Sequence, residues 1–182
     1  MKKILFSLVL LAGSYFSANA QTEQGNMLVG GNVLLNTTKN NTRIGITPSA
    51  GYFVARNLAV GAALGLDYAK TNIDKTTTFG VGPFARYYFG SLNFRPFLDA
   101  ELSFQSVKDQ KGSSSNTYNS TNYFLGGGLA AFINRNVAIE GLAGYSHSSY
   151  SSLGNSGGFN LRIGFQVYIN RAEVANRTNS NL

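Results

Sequence analysis

Three features of the sequence together predict an all-β fold, an eight-stranded antiparallel up-and-down transmembrane β-barrel. Apolar residues recur at period two and nowhere convincingly at 3.6, short and long connections alternate along the chain, and only 13% of residues are charged. A soluble domain carries about 25% charge. Mean hydropathy is −0.05, so low charge has not been exchanged for the hydrophobicity of a helical membrane protein. Beyond the N-terminus no stretch approaches the ~18 consecutive apolar residues that a spanning helix needs. The 13 Phe, 10 Tyr and 21 Gly argue against disorder, and the absence of Cys excludes disulfides and thiolate metal sites. The length fits one domain.

Residues 1–20 read as a cleaved signal peptide. Lys2 and Lys3 form a positive start, Ile4 to Ala12 an apolar stretch too short to span a bilayer, and Ala18-Asn19-Ala20 a small-x-small cleavage site. Without Lys2 and Lys3, 13 basic residues face 8 acidic ones and the net charge falls from +7 to +5. The barrel is expected over residues 21–171 and a short polar periplasmic tail over 172–182.

Strands are expected near 26–36, 42–54, 58–70, 77–89, 95–107, 121–133, 137–148 and 158–169. The last is the clearest: Phe159, Leu161, Ile163, Phe165, Val167 and Ile169 share one face, and Asn160, Arg162, Gly164, Gln166 and Tyr168 the other. Connections after the second, fourth and sixth strands are tight (Ala55-Arg56-Asn57, Gly90 to Asn93, Asn134-Arg135-Asn136). The others are longer or more polar, with 108–120 and 149–157 the most prominent. Short turns at one end and polar loops at the other belong to outer-membrane barrels. A weak internal repeat relates FVARNLAVGAALG (53–65) to FINRNVAIEGLAG (132–144). A duplicated four-stranded half and convergence on one turn chemistry explain it equally well.

Aromatic residues sort by depth. Tyr52, Phe53, Tyr87, Phe89, Phe97, Phe132 and Tyr168 lie beside the short turns, and Tyr68, Phe79, Phe104, Tyr123, Tyr145 and Phe159 near the long loops. Both sets are expected as lipid-facing girdles around a band of small and aliphatic residues. Alternation then turns Arg43, Asp67, Arg86, Asp99, Glu101, Glu140 and Arg162 to the lumen. Facing lipid at the midplane, an Arg would cost about 2–4 kcal/mol. Three bases and four acids predict a lumen packed by paired charges, since buried charges persist when paired. Eight strands leave an interior only wide enough for side chains.

With these features the chain resembles the small eight-stranded outer-membrane barrels of the OmpA/OmpX type, including the porin-family β-barrel proteins of Gram-negative bacteria. The resemblance covers residues 21–171. Its most specific part is Arg162-x-Gly164-x-x-Val167-x-Ile169, which is similar to the C-terminal signal read by the barrel-insertion machinery. It departs by ending on Ile and by being followed by a tail. That tail is too short for a peptidoglycan-binding domain. The resemblance implies a cell outer-membrane location, lipid and lipopolysaccharide as surroundings, the barrel-assembly machinery as a partner, and a monomer.

No catalytic residues, metal site or cofactor are expected. His147, the single histidine, forms His-x-Ser with Ser149, similar to a motif of outer-membrane lipid A deacylases. Those enzymes place an acid downstream on the next strand, where this chain has Asn160, Arg162 and Gln166; Glu173 lies in the tail. Glu140 is seven residues away, about 23 Å at ~3.3 Å per residue. Lys39, Lys70, Lys75, Lys108 and Lys111 form a basic rim at the loop end. With no basic helix or stacking platform they do not indicate nucleic acid, and they suit lipopolysaccharide phosphates. A soluble lipocalin-like barrel is disfavoured by the absence of Trp and by charges inside rather than outside. The expected function is a structural or surface-interaction role in adhesion or the envelope, exercised through loops 108–120 and 149–157. The alternative is a narrow porin for ions or small solutes, and the remote alternative a lipid A-modifying enzyme.

Overall fold

A computed structural model describes residues 22–38, 41–71, 74–90, 92–112, 114–150 and 154–170. Residues 1–20, read above as a signal peptide, the segment 172–182 and Lys39 lie outside them. Eight strands form a closed antiparallel barrel in which sequence neighbours pair and β1 returns to β8. They are β1 (Met27–Thr38), β2 (Asn41–Ala55), β3 (Leu58–Thr71), β4 (Asp74–Tyr88), β5 (Phe94–Lys111), β6 (Ser114–Phe132), β7 (Val137–Tyr150) and β8 (Gly154–Ile169).

Alternation assigns the faces. Along β4 and β5 shielded and exposed residues alternate, and over Phe79–Tyr87 and Leu98–Phe104 the exposed ones are apolar. The outer surface therefore presents Val, Leu, Ile, Phe and Tyr side chains on every strand, the arrangement that lipid stabilises and water penalises.

Two expectations change here. The segments read as loops 108–120 and 149–157 are mostly strand. β5 and β6 pair as far as Lys111↔Ser114, and β7 and β8 as far as Tyr150↔Gly154. Their Ser, Thr, Asn and Tyr residues fill a water-facing ladder as readily as a loop. Gly112 (φ 55°) and Gly154 (φ 83°) supply left-handed backbone at the tips. The second change concerns the lower aromatics. Tyr52, Tyr87 and Phe89 face outward, but Phe53, Phe97, Phe132 and Tyr168 are buried in the lumen. In a strand neighbouring side chains point oppositely, so Phe53 beside Tyr52 cannot share its face. Alternation along the last strand already puts Tyr168 with the lumen residues.

The turn end follows one rule repeated four times. The carbonyls of Asn26, Asn57, Asn93 and Asn136 accept hydrogen bonds from the N–H groups of Phe53, Tyr88, Phe132 and Tyr168, at 2.9, 2.9, 2.9 and 2.6 Å. Each asparagine precedes a hairpin, and each aromatic lies within two residues of the end of the hairpin that follows, its ring turned inward. Both copies of the repeat at 53–65 and 132–144 carry such an asparagine, Asn57 and Asn136, and the bond occurs at the other two hairpin starts as well. Asn57 holds φ at 66°, which asparagine tolerates better than most non-glycine residues.

Candidate functional site

The lumen divides into a sealed floor and an open cup. At the floor, Arg86 on β4 reaches Asp99 on β5 (Nε to Oδ2, 2.5 Å) and Glu140 on β7 (Nη1 to Oε2, 2.6 Å). The Tyr88 and Tyr168 hydroxyls lie 3.2 and 2.9 Å from Glu140 Oε1 and 2.9 Å from each other. Arg86 and Glu140 are 3% and 0% exposed. Phe97 stands under the guanidinium, 4.6 Å from the ring centre, and Phe53, Tyr88, Phe132 and Tyr168 pack ring to ring around it. Below them the chain's first described residues cross the opening. The Thr22 hydroxyl is within 2.5 Å of Arg95 Nη1 and 2.6 Å of Asn57 Oδ1, and the Thr22 carbonyl accepts from the Asn57 N–H. The floor is more aromatic than the expected packing of paired charges alone.

Sequence reasoning missed Arg95, Tyr88 and Phe124 as lumen residues. The signal was available, since Arg95, Phe97, Asp99 and Glu101 alternate along one face of β5.

Higher up, Arg162 on β8 crosses to Glu101 on β5, with Nη1 at 2.9 and 2.8 Å from the two carboxylate oxygens, and lies 4.0 Å from the Phe124 ring centre. Arg43 on β2 grips Asp67 on β3 through Nε and Nη2 at 2.6 and 3.1 Å. All seven charged residues expected inside therefore sit in the lumen as three groups, each bringing at least one base against an acid. The expected close packing does not extend this far. Above Phe124 the walls bear Gly45, Gly65 and Ser103 beside the ion pairs, and a cavity of about 360 Å³ remains. On its wall Asn122 donates to the Ser148 hydroxyl at 2.7 Å, and Asn160 donates to the Ser146 hydroxyl. Asn32 is 5% exposed, lines the cavity and has no protein partner for its carbonyl oxygen.

Of the C-terminal signal residues, Val167 and Ile169 pair with Val29 and Met27 of β1, while Gly164 lies opposite Asn32. A Cβ at Gly164 would overlap the Asn32 amide. Of the basic rim, Lys70 and Lys75 are directly opposite each other across β3 and β4, and Lys108 pairs with Thr77 one step along the same outer face. Lys111 lies 3.9 Å from Asp109 at the β5–β6 tip. His147 stacks on Tyr123 with ring centres 5.0 Å apart, on the outward face. The described residues hold no grouping of three or more His, Asp or Glu suited to a metal ion.

No protein-family model matches the chain, and no curated protein matches it. Solved structures do. It is similar to the N-terminal β-barrel domain of Pseudomonas aeruginosa OprF, at 17% identity and a TM-score of 0.58 over 80% of this chain and 98% of that one. It is also similar to Neisserial surface protein A (NspA), at 19% identity and a TM-score of 0.56 over 78% of this chain and 94% of that one. At these identities the likeness establishes the fold, that of the small eight-stranded outer-membrane barrels.

Proposed function

We propose that the protein is an integral outer-membrane barrel that does not conduct, and that it serves a structural or surface-interaction role through the hairpins projecting beyond its loop end. The observation that carries this reading is the floor: Arg86, Asp99, Glu140, Tyr88 and Tyr168 close the lumen with side chains at most 3% exposed. An ion would have to displace a fully buried, multiply bonded arginine. The experiment is conductance of refolded protein in a planar bilayer, with a heat-modifiable gel shift to establish folding. Silence is expected from folded protein, and steady steps would move it to the narrow-porin class.

The outer lysines support lipopolysaccharide as a neighbour. Like charges directly opposite on a sheet repel, and Lys70 opposite Lys75 with Lys108 nearby is stabilised by an anion lying across β3–β5. Lipid phosphates at the membrane surface supply one. Replacing these three lysines with Gln should weaken lipopolysaccharide association and flatten its salt dependence, and unchanged binding would sink the assignment. For the barrel-insertion machinery, the β8 residues Arg162, Gly164, Val167 and Ile169 are the proposed recognition element.

A further inference from the structure

The barrel is not equally closed around its circumference. Every sequential strand pair is hydrogen-bonded close to the loop-end tips, but β1 and β8 pair only from Met27↔Ile169 to Val33↔Ile163. Above that point Leu34–Thr38 of β1 and Gly154–Arg162 of β8 run on as strand without pairing to each other. The result is a slot at the loop half of the wall. Its outer flank carries the most exposed apolar side chains of these two strands: Leu35 73%, Phe159 86%, Leu161 73% and Ile163 64%. Its inner side is the cup, whose lining includes Leu34 from β1 and Asn160 and Arg162 from β8.

Unpaired strand edges inside a hydrocarbon layer are costly, and this slot joins a polar cavity to an apolar flank. We infer that cup and slot together form a binding site for an amphiphile. A zwitterionic headgroup occupies the cup, and its acyl chain leaves through the slot to lie along Leu35, Phe159 and Leu161. The charges fit: Arg43 and Arg162 can face a phosphate, Asp67 and Glu101 an ammonium, and the cup has no net charge of its own. The unpartnered Asn32 oxygen, buried and at the cavity wall, awaits a donor. The volume of about 360 Å³ falls at the lower end of ligand pockets, which span about 300–1,000 Å³.

This inference rests on the membrane-barrel reading, which the heat-modifiable shift of the unaltered chain tests separately. The site itself is tested by native mass spectrometry of the refolded full chain in a sugar-headed detergent. The probe is a 1-acyl glycerophosphoethanolamine; the acyl glycerophosphoglycerol and the monoacylglycerol of equal chain length are the comparisons. One zwitterionic lipid per barrel is expected, preferred at least about tenfold over either comparison, with the preference lost in Arg43→Gln/Asp67→Asn. Equal retention of all three, or no change in that double variant, overturns the proposal. A second variant needs no change in the cup. The chain lacks cysteine, and Leu35 would face Leu161 if the β1–β8 register continued. A Leu35→Cys/Leu161→Cys bridge should therefore block lipid uptake when oxidised and permit it when reduced. Undiminished uptake by the oxidised, folded barrel places the lipid elsewhere and rejects the slot.

Discussion

The two halves of the lumen use the same chemistry, arginine against carboxylate, in opposite settings. Arg86 is enclosed by rings and has two acids; Arg43 is half exposed and has one. At the floor the pair cannot trade its partner for water, so geometry and full hydrogen bonding decide whether it is tolerated. At Arg43–Asp67 in the cup water competes, and that pair contributes little beyond orienting the wall. One barrel therefore contains a structural ion cluster and an adaptable one, divided by the level of Phe124.

Substitutions sharpen that division. The largest effect is expected from Arg86→Ala, which leaves Asp99 and Glu140 buried without a cation. A loss of about 3–5 kcal/mol is expected, read as a fall in the urea midpoint for unfolding from lipid vesicles. Neutralising the acids in the same chain, with Asp99→Asn and Glu140→Gln, should recover much of it. If Arg86→Ala alone leaves the midpoint in place, the floor is not the closed unit described. Next comes a pair of glycines. A Cβ at Gly128 would overlap the Phe97 ring and the Gly141 carbonyl, whereas one at Gly65 meets nothing nearer than 3.9 Å. Gly128→Ala should cost about 1–3 kcal/mol by overpacking, while Gly65→Ala should be close to neutral by the same measurement. Equal effects would erase the distinction between packed floor and open cup. A small effect is expected from Arg43→Gln, under about 1 kcal/mol and shrinking as salt is added.

Much of this was legible in the sequence because a barrel has a period of exactly two positions. Placing Arg162 inside follows from Phe159, Leu161 and Ile163 being outside, and no structure is needed for that step. The partners across the lumen were not legible. Arg86 meets Glu140 from β4 to β7, and Arg162 meets Glu101 from β8 to β5. Such pairs depend on strand tilt and stagger, which alternation within one strand does not encode. Nearness to a turn does not fix the face of Phe53, Phe97, Phe132 and Tyr168; alternation does, and it turns their rings inward. The height of the hairpins is not legible, because Ser, Thr and Asn serve a loop and a water-facing ladder alike. The slot between β1 and β8 leaves no mark in either strand's own pattern.

That partial seam also bears on how the barrel forms. Seven of its eight strand pairings join neighbours in the chain, and the asparagine-to-aromatic bonds fix the ends of local hairpins. Only β1 with β8 must wait for the two ends of the sheet to meet, and it is the shortest ladder of the eight. Entropy charges such distant closure before any contact rewards it. Folding should accordingly proceed as an arc of hairpins that curls and fastens last from Met27↔Ile169 upward, and substitutions along that ladder should alter the final phase of folding while leaving the earlier growth of strand signal unchanged.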